Sequence, residues 1–451
     1  MRTNTSDRPR TFFGQPMALA YLSFTEAWER FSYYGMTSIL VLYMSQALLL
    51  PGHIDGIVGF AAFRATLESV FGPMTTLALA SQIMGLYTGL VYFTPVLGGW
   101  IADRWTGRRA AVMLGAVLMS AGHVAMAFDA SFLLALLLLI TGCGLLKGNI
   151  STQVGELYAE SDGEGRTRAF AIFSVGINIG AVLGPLVVGL LAQLYGWHAG
   201  FGLAGILMLL GLITYIAGFR YLPADKPRVP STPVLKKAPL DRRQWRILGA
   251  LAVVSAITIF QSIAYFQNTN LGLIWIDRSV DLNLLGFHVP VAWFNSIDPL
   301  ASIVGVPLLL ALWRYQAARG SEPDDLGKIA TGAWLATLAN LVLVTACLLG
   351  TRISVWVPLV YDTILGIAFL YYWPTLLALV SRTAPARIKA TMMGAVFLTL
   401  FIGNSIIGWL GSFYEHMTPA GFWAMHAAIA ACGGMLAFGL RQPLKRALAL
   451  S

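Results

Sequence analysis

Charge is what this 451-residue chain has least of: Asp, Glu, Lys and Arg together reach 11%, where a soluble domain carries roughly a quarter. With 57% hydrophobic residues beside it, that scarcity excludes a soluble enzyme, a nucleic-acid module and a disordered protein. Cysteine is scarcer still. Cys143, Cys347 and Cys432 stand singly in apolar stretches, with no CxxC spacing and no histidine in register, so no disulfide framework or metal site is expected and each reads as a small buried residue. The chain also lacks HExxH and any nucleophile–base pair at helical spacing, which argues against an intramembrane enzyme. Residues 1–16 are polar, and the first apolar run has no small-residue cleavage site, so no signal peptide is expected. The net charge of +9 lies in short loops between apolar runs, which argues against a nucleic-acid partner.

What is present in quantity is apolar helix. Forty-six glycines and 12% aromatics fit a packed membrane bundle, where small residues let helices approach and aromatics sit at interfaces. Stretches long enough to cross the hydrocarbon lie near 17–48, 80–102, 109–128, 131–157, 168–194, 198–220, 246–273, 290–314, 328–350, 354–380, 388–412 and 420–441. Residues 51–79, with Gly52, Gly56, Gly59, Gly72 and Pro73 among them, read as an outer loop holding a short interfacial helix. The Pro- and Lys/Arg-rich segment 221–245 divides the spans six and six. The expected layout is therefore an N-terminal tail (1–16), a six-helix bundle (17–220), a cytoplasmic linker (221–245), a second bundle (246–441) and a C-terminal tail (442–451). With the N-terminus inside, 25 of the 30 basic residues fall on cytoplasmic segments; Arg64, Arg278 and Arg352 lie outside, and Arg30 and Lys147 within the membrane. This asymmetry predicts that both termini are cytoplasmic.

The expected fold class is thus an all-α membrane protein of twelve transmembrane helices in two six-helix bundles, as in an alternating-access transporter with its site near midplane. The segment GGWIADRWTGRR (98–109) resembles the signature loop of the major facilitator superfamily. That resemblance implies a cytoplasmic gate in which Asp103, Arg104 and Arg108 latch helix ends.

A charge at bilayer depth is a functional hypothesis by default. In FTEAWERFSYYGM, Glu26, Glu29, Arg30, Tyr33 and Thr37 share one helical face. Two carboxylates and one guanidinium leave a surplus acid, so one acid can hold the arginine while the other exchanges a proton. A cluster that merely locks the first helix to a neighbour is the structural alternative.

ExxERFSYYG (26–35) resembles the first-helix motif of the proton-dependent oligopeptide transporters, the peptide branch of that superfamily. GCGLLKGNISTQVGELY (142–158), FSVGINIGAVLGPLVVG (173–189), WFNSIDPL (293–300) and PTLLALVSRTAP (374–385) are similar to further family segments. The resemblance implies uptake of di- and tripeptides or peptide-like compounds driven by protons. It implies a coupling set of Glu26, Glu29 and Arg30, a cationic pole of Arg30 and Lys147 for the substrate carboxylate, and pocket positions at Tyr33, Tyr34, Tyr92 and Asn178. Expected partners are a small-molecule or short-peptide substrate and the lipid bilayer of a bacterial inner membrane. The protein is expected to be a monomer and to need no cofactor or metal besides the coupling proton.

Three departures bear on the substrate. The family usually has an arginine where this chain has Thr37, and a glutamate where it has Phe369, with Trp373 in place of a serine. Its usual Asn-Pro is here Asp298-Pro299, which restores a negative charge that could meet a peptide amine; a helix-breaking hinge is the alternative. Asp362, two turns from Phe369, is a second candidate acid, or a partner for a basic residue at the outer rim. The linker is too short for the two extra helices that bacterial members often carry. Gln261, Gln267, Asn268, Thr269 and Asn270 interrupt an apolar run and divide between pocket lining and helix–helix bonding, with Gln267 and Asn270 taken as pocket residues. Tyr371, Tyr372 and Trp373 form an aromatic run, of which Trp373 is taken as a pocket wall. His123 and His426 read as packing or hydrogen-bonding residues. The competing function is a divergent member moving another solute, such as a modified peptide, a peptide-derived siderophore or a drug.

Overall fold

Fifteen α-helices follow one another in a computed structural model that describes residues 11–159, 161–225, 240–350 and 352–448, with Ala390 described by its backbone alone. They are α1 (Met17–Tyr43), α2 (Phe60–Phe71), α3 (Thr76–Ile101), α4 (Arg108–Ala125), α5 (Phe132–Glu156), α6 (Gly163–Tyr195), α7 (Trp197–Gly218) and α8 (Arg242–Phe266). There follow α9 (Leu271–Ser279), α10 (Ile297–Ala318), α11 (Asp325–Leu349), α12 (Trp356–Thr383), α13 (Lys389–Leu410), α14 (Pro419–Gly439) and α15 (Arg441–Leu448). Most of the expected linker, 226–239, and the first ten residues of the expected tail lie outside the described residues.

The helix ends follow local chemistry. Asp241 and Gln244 form a reciprocal capping box that starts α8. The Gly327 N–H donates to Asp324 at 2.8 Å at the start of α11, and the Gly421 N–H to Thr418 Oγ1 at 3.1 Å at the start of α14. Gly196, at φ 91°, joins α6 to α7 in a conformation that a side chain would strain.

Ten helices among the described residues are long and apolar enough to cross a membrane. The two remaining expected spans are the helices α1 and α4. They fall outside that set because Glu26, Glu29 and Arg30 sit midway along α1, and α4 opens on Arg108 and Arg109. The segment read as an outer loop does contain a helix, α2. The stretch expected as one helix over 246–273 is broken: α8 passes into a 3-10 turn at Gln267–Thr269, Asn270 leaves helical geometry (φ −109°, ψ −106°), and α9 resumes to Ser279. The polar run QNTN lies at the break. Non-helical backbone at membrane depth is tolerated where protein surrounds it, and Gln267, Asn268 and Asn270 are all buried.

The chain forms two compact units. Unit 1 takes in the described residues of Met1–Ile39, Gly56–Gly59 and Thr94–Pro227; unit 2 those of Leu40–Asp55, Phe60–Phe93 and Arg228–Ser451. Most of α3 is thus grouped with the later helices, Thr88 Oγ1 donating to Asn404 Oδ1 of α13 at 2.9 Å.

In unit 1, Gly176, Gly180 and Gly184 of α6 lie one turn apart along the backbone of α1. A Cβ at Gly180 would stand 2.6 Å from the Ala27 carbonyl and 2.7 Å from the Phe31 nitrogen. This is small-residue helix packing.

In unit 2, a core of Leu251, Val254, Leu326, Ile329, Tyr372, Leu376 and Leu379 also takes in Leu444 and Leu448 of α15. Residues 441–448, within or beside the expected C-terminal tail, are therefore a docked helix. Arg441 and Lys445 fix it to Asp324 at 3.0 and 3.1 Å.

Candidate functional site

The one-turn spacing of Glu26 and Arg30 on α1 brings their side chains together, the Arg30 Nε donating to Glu26 Oε1 at 2.9 Å. Glu29 Oε2 lies 2.5 Å from the same nitrogen, and all three residues are at most 2% exposed. Arg30 Nη2, Glu26 Oε2 and both Glu29 oxygens have no hydrogen-bond partner. Lys147 of α5, half-buried, interacts electrostatically with Arg30, Glu29 and Glu26. The set is therefore two carboxylates and two cations, balanced when all four are ionised. Counting along α1 alone gave a surplus acid; the fold supplies a second cation from α5.

The guanidinium carbon of Arg30 lies 5.7 Å from the Tyr33 ring centroid, and Tyr33 packs edge-on to Tyr34. Thr37 turns its hydroxyl back onto its own helix, donating to the Tyr33 carbonyl at 2.9 Å, and takes no part in the charge set. Asn178 likewise donates to Ser174 O on its own helix, at 2.8 Å. Ser32, unremarked in the sequence, joins three helices of unit 1. Its hydroxyl meets His123 Nε2 of α4 at 2.8 Å and the Ala204 carbonyl of α7 at 2.6 Å. That contact bears out the hydrogen-bonding reading of His123, and His426 meets the Phe422 carbonyl at 3.0 Å in the same way.

In the 98–109 loop, Arg108 reaches Asp103 at 3.2 Å and also pairs with Glu156 at the end of α5, while Arg104 is exposed. Asp225, after α7, accepts the backbone N–H of Arg108 at 3.0 Å and of Arg109 at 3.2 Å. Neither Glu156 nor Asp225 was visible as part of this loop, because nothing in their spacing marks them.

Unit 2 carries a second polar set. Asp298 lies in the first turn of α10, where Pro299 is tolerated because that turn lacks intrahelical acceptors for its nitrogen. Its carboxylate accepts a hydrogen bond from the Tyr265 hydroxyl of α8. The Tyr265 ring stacks on Phe369 at 4.7 Å, and Phe369 on Trp373 at 6.4 Å. The residue in the family's acid position is thus part of an aromatic wall that holds Tyr265 against Asp298. Tyr92 of α3 meets Phe266 at 5.6 Å. Asp362 of α12 is 3% exposed and is met by the Asn268 side chain; it has no basic partner among the described residues. At the helix break, Asn270 Nδ2 donates to Ser81 Oγ at 2.9 Å, and Gln267 is fully buried with both amide atoms unpaired. No group of residues that could hold a metal ion occurs among the described residues.

Buried ion sets within long apolar helices point to a membrane transporter. The family model of the Major Facilitator Superfamily matches residues 22–408. An uncharacterized transporter of Bacillus subtilis, YclF, is 30% identical, covering 97% of this chain and 96% of that one. A di-/tripeptide transporter of Lactococcus lactis subsp. cremoris is 28% identical, with 98% of both chains covered. Among solved structures, a peptide transporter POT in complex with sulfate superimposes with a TM-score of 0.86 at 27% identity, over 98% of both chains. The chain belongs to the Major Facilitator Superfamily and, within it, to the proton-dependent oligopeptide transporters.

Proposed function

We propose that this protein imports di- and tripeptides or peptide-like compounds with protons, by alternating access, across a bacterial inner membrane. In this reading α1 and α4 join the ten apolar spans to give twelve crossings, both termini are cytoplasmic, and the protein acts as a monomer with protons as its only coupling species. Asp103, Arg104 and Arg108 serve the cytoplasmic gate. Tyr33, Tyr34, Tyr92, Asn178, Gln267, Asn270, Phe369 and Trp373 are substrate-side residues.

The observation that carries the reading is the buried set of Glu26, Glu29, Arg30 and Lys147. A peptide is a zwitterion and needs both a cationic and an anionic pole in a dry site. Arg30 and Lys147 supply the first, and a carboxylate arriving there unbalances the set by one negative charge. A proton on Glu29 restores neutrality, which couples substrate to proton. Asp298, with Tyr265 fixing one oxygen and Oδ1 unpaired, supplies the anionic pole.

Uptake of labelled dialanine into proteoliposomes with an acidic exterior tests the reading; absence of proton-driven accumulation refutes it. Lys147→Ala should cost several kcal/mol in binding of a free-acid dipeptide, up to about 5 for a buried charge pair, and little for its C-terminal amide. Equal losses for both ligands would remove Lys147 from carboxylate recognition.

A further inference from the structure

The end of unit 2 at which α8 begins carries cations that its acids do not neutralise. Arg441 and Lys445 pair with Asp324, Arg382 with Asp325 and Lys328 with Glu322. Arg242, Arg243 and Arg246, in the first turns of α8, are exposed and form no ion pair among the described residues. Asp241 is the one acid beside them in sequence, and its carboxylate is taken up by the capping box. The sequence leading into α8 adds Lys226, Arg228, Lys236 and Lys237, with no acid between Asp225 and Asp241.

Two of these arginines stand where lipid does. By the helical period, Arg242, Trp245 and Arg246 share a face with Gly249, Ala252 and Val253, and all six are exposed. The opposite face, with Leu251, Val254, Ile257 and Thr258, is buried. α8 belongs to a stretch long and apolar enough to cross a membrane, so its exposed apolar face is the one that lipid covers. Met435 and Phe438 are exposed as well, near the end of α14, which packs beside α8. Trp245 is 63% exposed, and a tryptophan so placed at the start of a span marks the headgroup level. Arg242 and Arg246, one turn apart, therefore lie at headgroup depth above an apolar strip.

We propose that Arg242, Trp245 and Arg246 form a site for an anionic phospholipid. The two guanidiniums hold its phosphate, and an acyl chain lies along Gly249, Ala252 and Val253. A guanidinium suits a phosphate because its donors form a planar fork that matches the oxygens. A soluble anion would use the arginines alone; the apolar strip beneath them is what selects a lipid. The site takes no part in peptide binding or proton coupling. The topology proposed above puts it in the cytoplasmic leaflet, and binding in detergent does not depend on that placement.

Native mass spectrometry of the purified full chain, titrated with phosphatidylglycerol and phosphatidylcholine of the same acyl chains, tests the site. Each arginine beside an anionic headgroup contributes about five-fold, so wild type should prefer phosphatidylglycerol by about 25-fold. Arg242→Gln with Arg246→Gln should bring the two affinities together, and lysine at both positions should keep most of the preference. Arg319→Gln with Arg446→Gln, which removes the same charge at other exposed positions, should keep all of it. Equal affinities in wild type, a preference that survives the first glutamine pair, or one lost equally in the second overturns the proposal. Displacement of the lipid by an equal concentration of glycerol 3-phosphate also overturns it, because the site would then be one for soluble anions. Should the first glutamine pair not fold, hydrogen exchange of wild type decides. Phosphatidylglycerol, and not phosphatidylcholine, should protect the first turns of α8; no protection there, or the same protection by both lipids, overturns the proposal.

Discussion

Replacing Gly180 by alanine puts a methyl group against the backbone of α1. The new Cβ would stand 2.6 Å from the Ala27 carbonyl oxygen, 2.7 Å from the Phe31 nitrogen and 2.8 Å from the Arg30 Cβ, where ordinary contact begins at 3.4 Å. The shortfall is thus 0.8 Å at the carbonyl and 0.6 Å at Arg30. None of these atoms is the end of a flexible side chain, so the helices themselves must separate. Overpacking of this kind costs about 1–3 kcal/mol. Alanine also raises helix propensity by about 1 kcal/mol, which partly hides the clash. Gly202→Ala in α7, where nothing lies within 4 Å, isolates that gain. The difference between the two variants is therefore the overpacking term. Gly176→Ala meets only the Ser23 carbonyl below 3.4 Å, at 2.9 Å, and should fall between them. Thermal unfolding of the purified proteins in one detergent should order them Gly202→Ala, Gly176→Ala, Gly180→Ala from most to least stable. Because Arg30 is one of the displaced residues, Gly180→Ala should also lose more peptide uptake than its stability loss explains. If Gly180→Ala melts with Gly202→Ala, the backbone contact between α1 and α6 is refuted.

Glu29→Gln should abolish uphill proton-driven accumulation and leave counterflow exchange, since a fixed neutral side chain carries no proton; accumulation at the wild-type rate would take Glu29 out of the coupling step. Asp324 offers a pH signature away from the membrane spans. Burial pushes its carboxyl up, but hydrogen bonds from Arg441, the Gly327 N–H and Lys445 outweigh that and hold it below the usual carboxylate range. A carboxyl lowered in the folded state stabilises above its unfolded value of about 4, and that stabilisation is lost as pH falls through the folded value. Asp324→Asn should therefore lower stability near neutral pH, by on the order of 1 kcal/mol, and the gap to wild type should close in acid. A gap that is the same at both ends of the range would mean that the α15 contact does not depend on the charge.

The helices were legible because each span is a long apolar run, and the coupling residues because charge in such a run is conspicuous. Contacts between distant segments were not. Lys147 could be read as an intramembrane cation, but only the fold sets it beside Glu29 and so balances the charges. Tyr265 looked like one aromatic among many; its hydroxyl becomes a ligand of Asp298 only when α8 and α10 meet. The break at Gln267–Asn270 did carry a signal, four consecutive polar residues in an apolar run, which reads equally well as pocket lining until the backbone is seen to leave the helix. The glycine spacing 176, 180, 184 also stood in the sequence as a one-turn repeat, and its meaning required knowing that α1 lies on that face.

The departures at Thr37, Phe369 and Asp298 have a common physical logic. An arginine and a glutamate removed together leave no unpaired survivor, which is the least costly way to lose a buried ion pair. Thr37 fits the vacated place on α1 because its hydroxyl satisfies itself on the Tyr33 carbonyl and demands no partner. Phe369 does more than fill space. Its ring stacks on Tyr265, and Tyr265 in turn donates to Asp298, so an aromatic contact from α12 orients the acid on α10. Asp298 stands in the first turn of α10, where unsatisfied backbone N–H groups favour negative charge. Position 369 on α12 is thus the scaffold for the hydrogen-bond donor of Asp298. Restoring a glutamate at 369 would therefore remove the stacking partner of Tyr265 as well as add a charge, and a gain of affinity for amines from that change alone does not follow from the geometry.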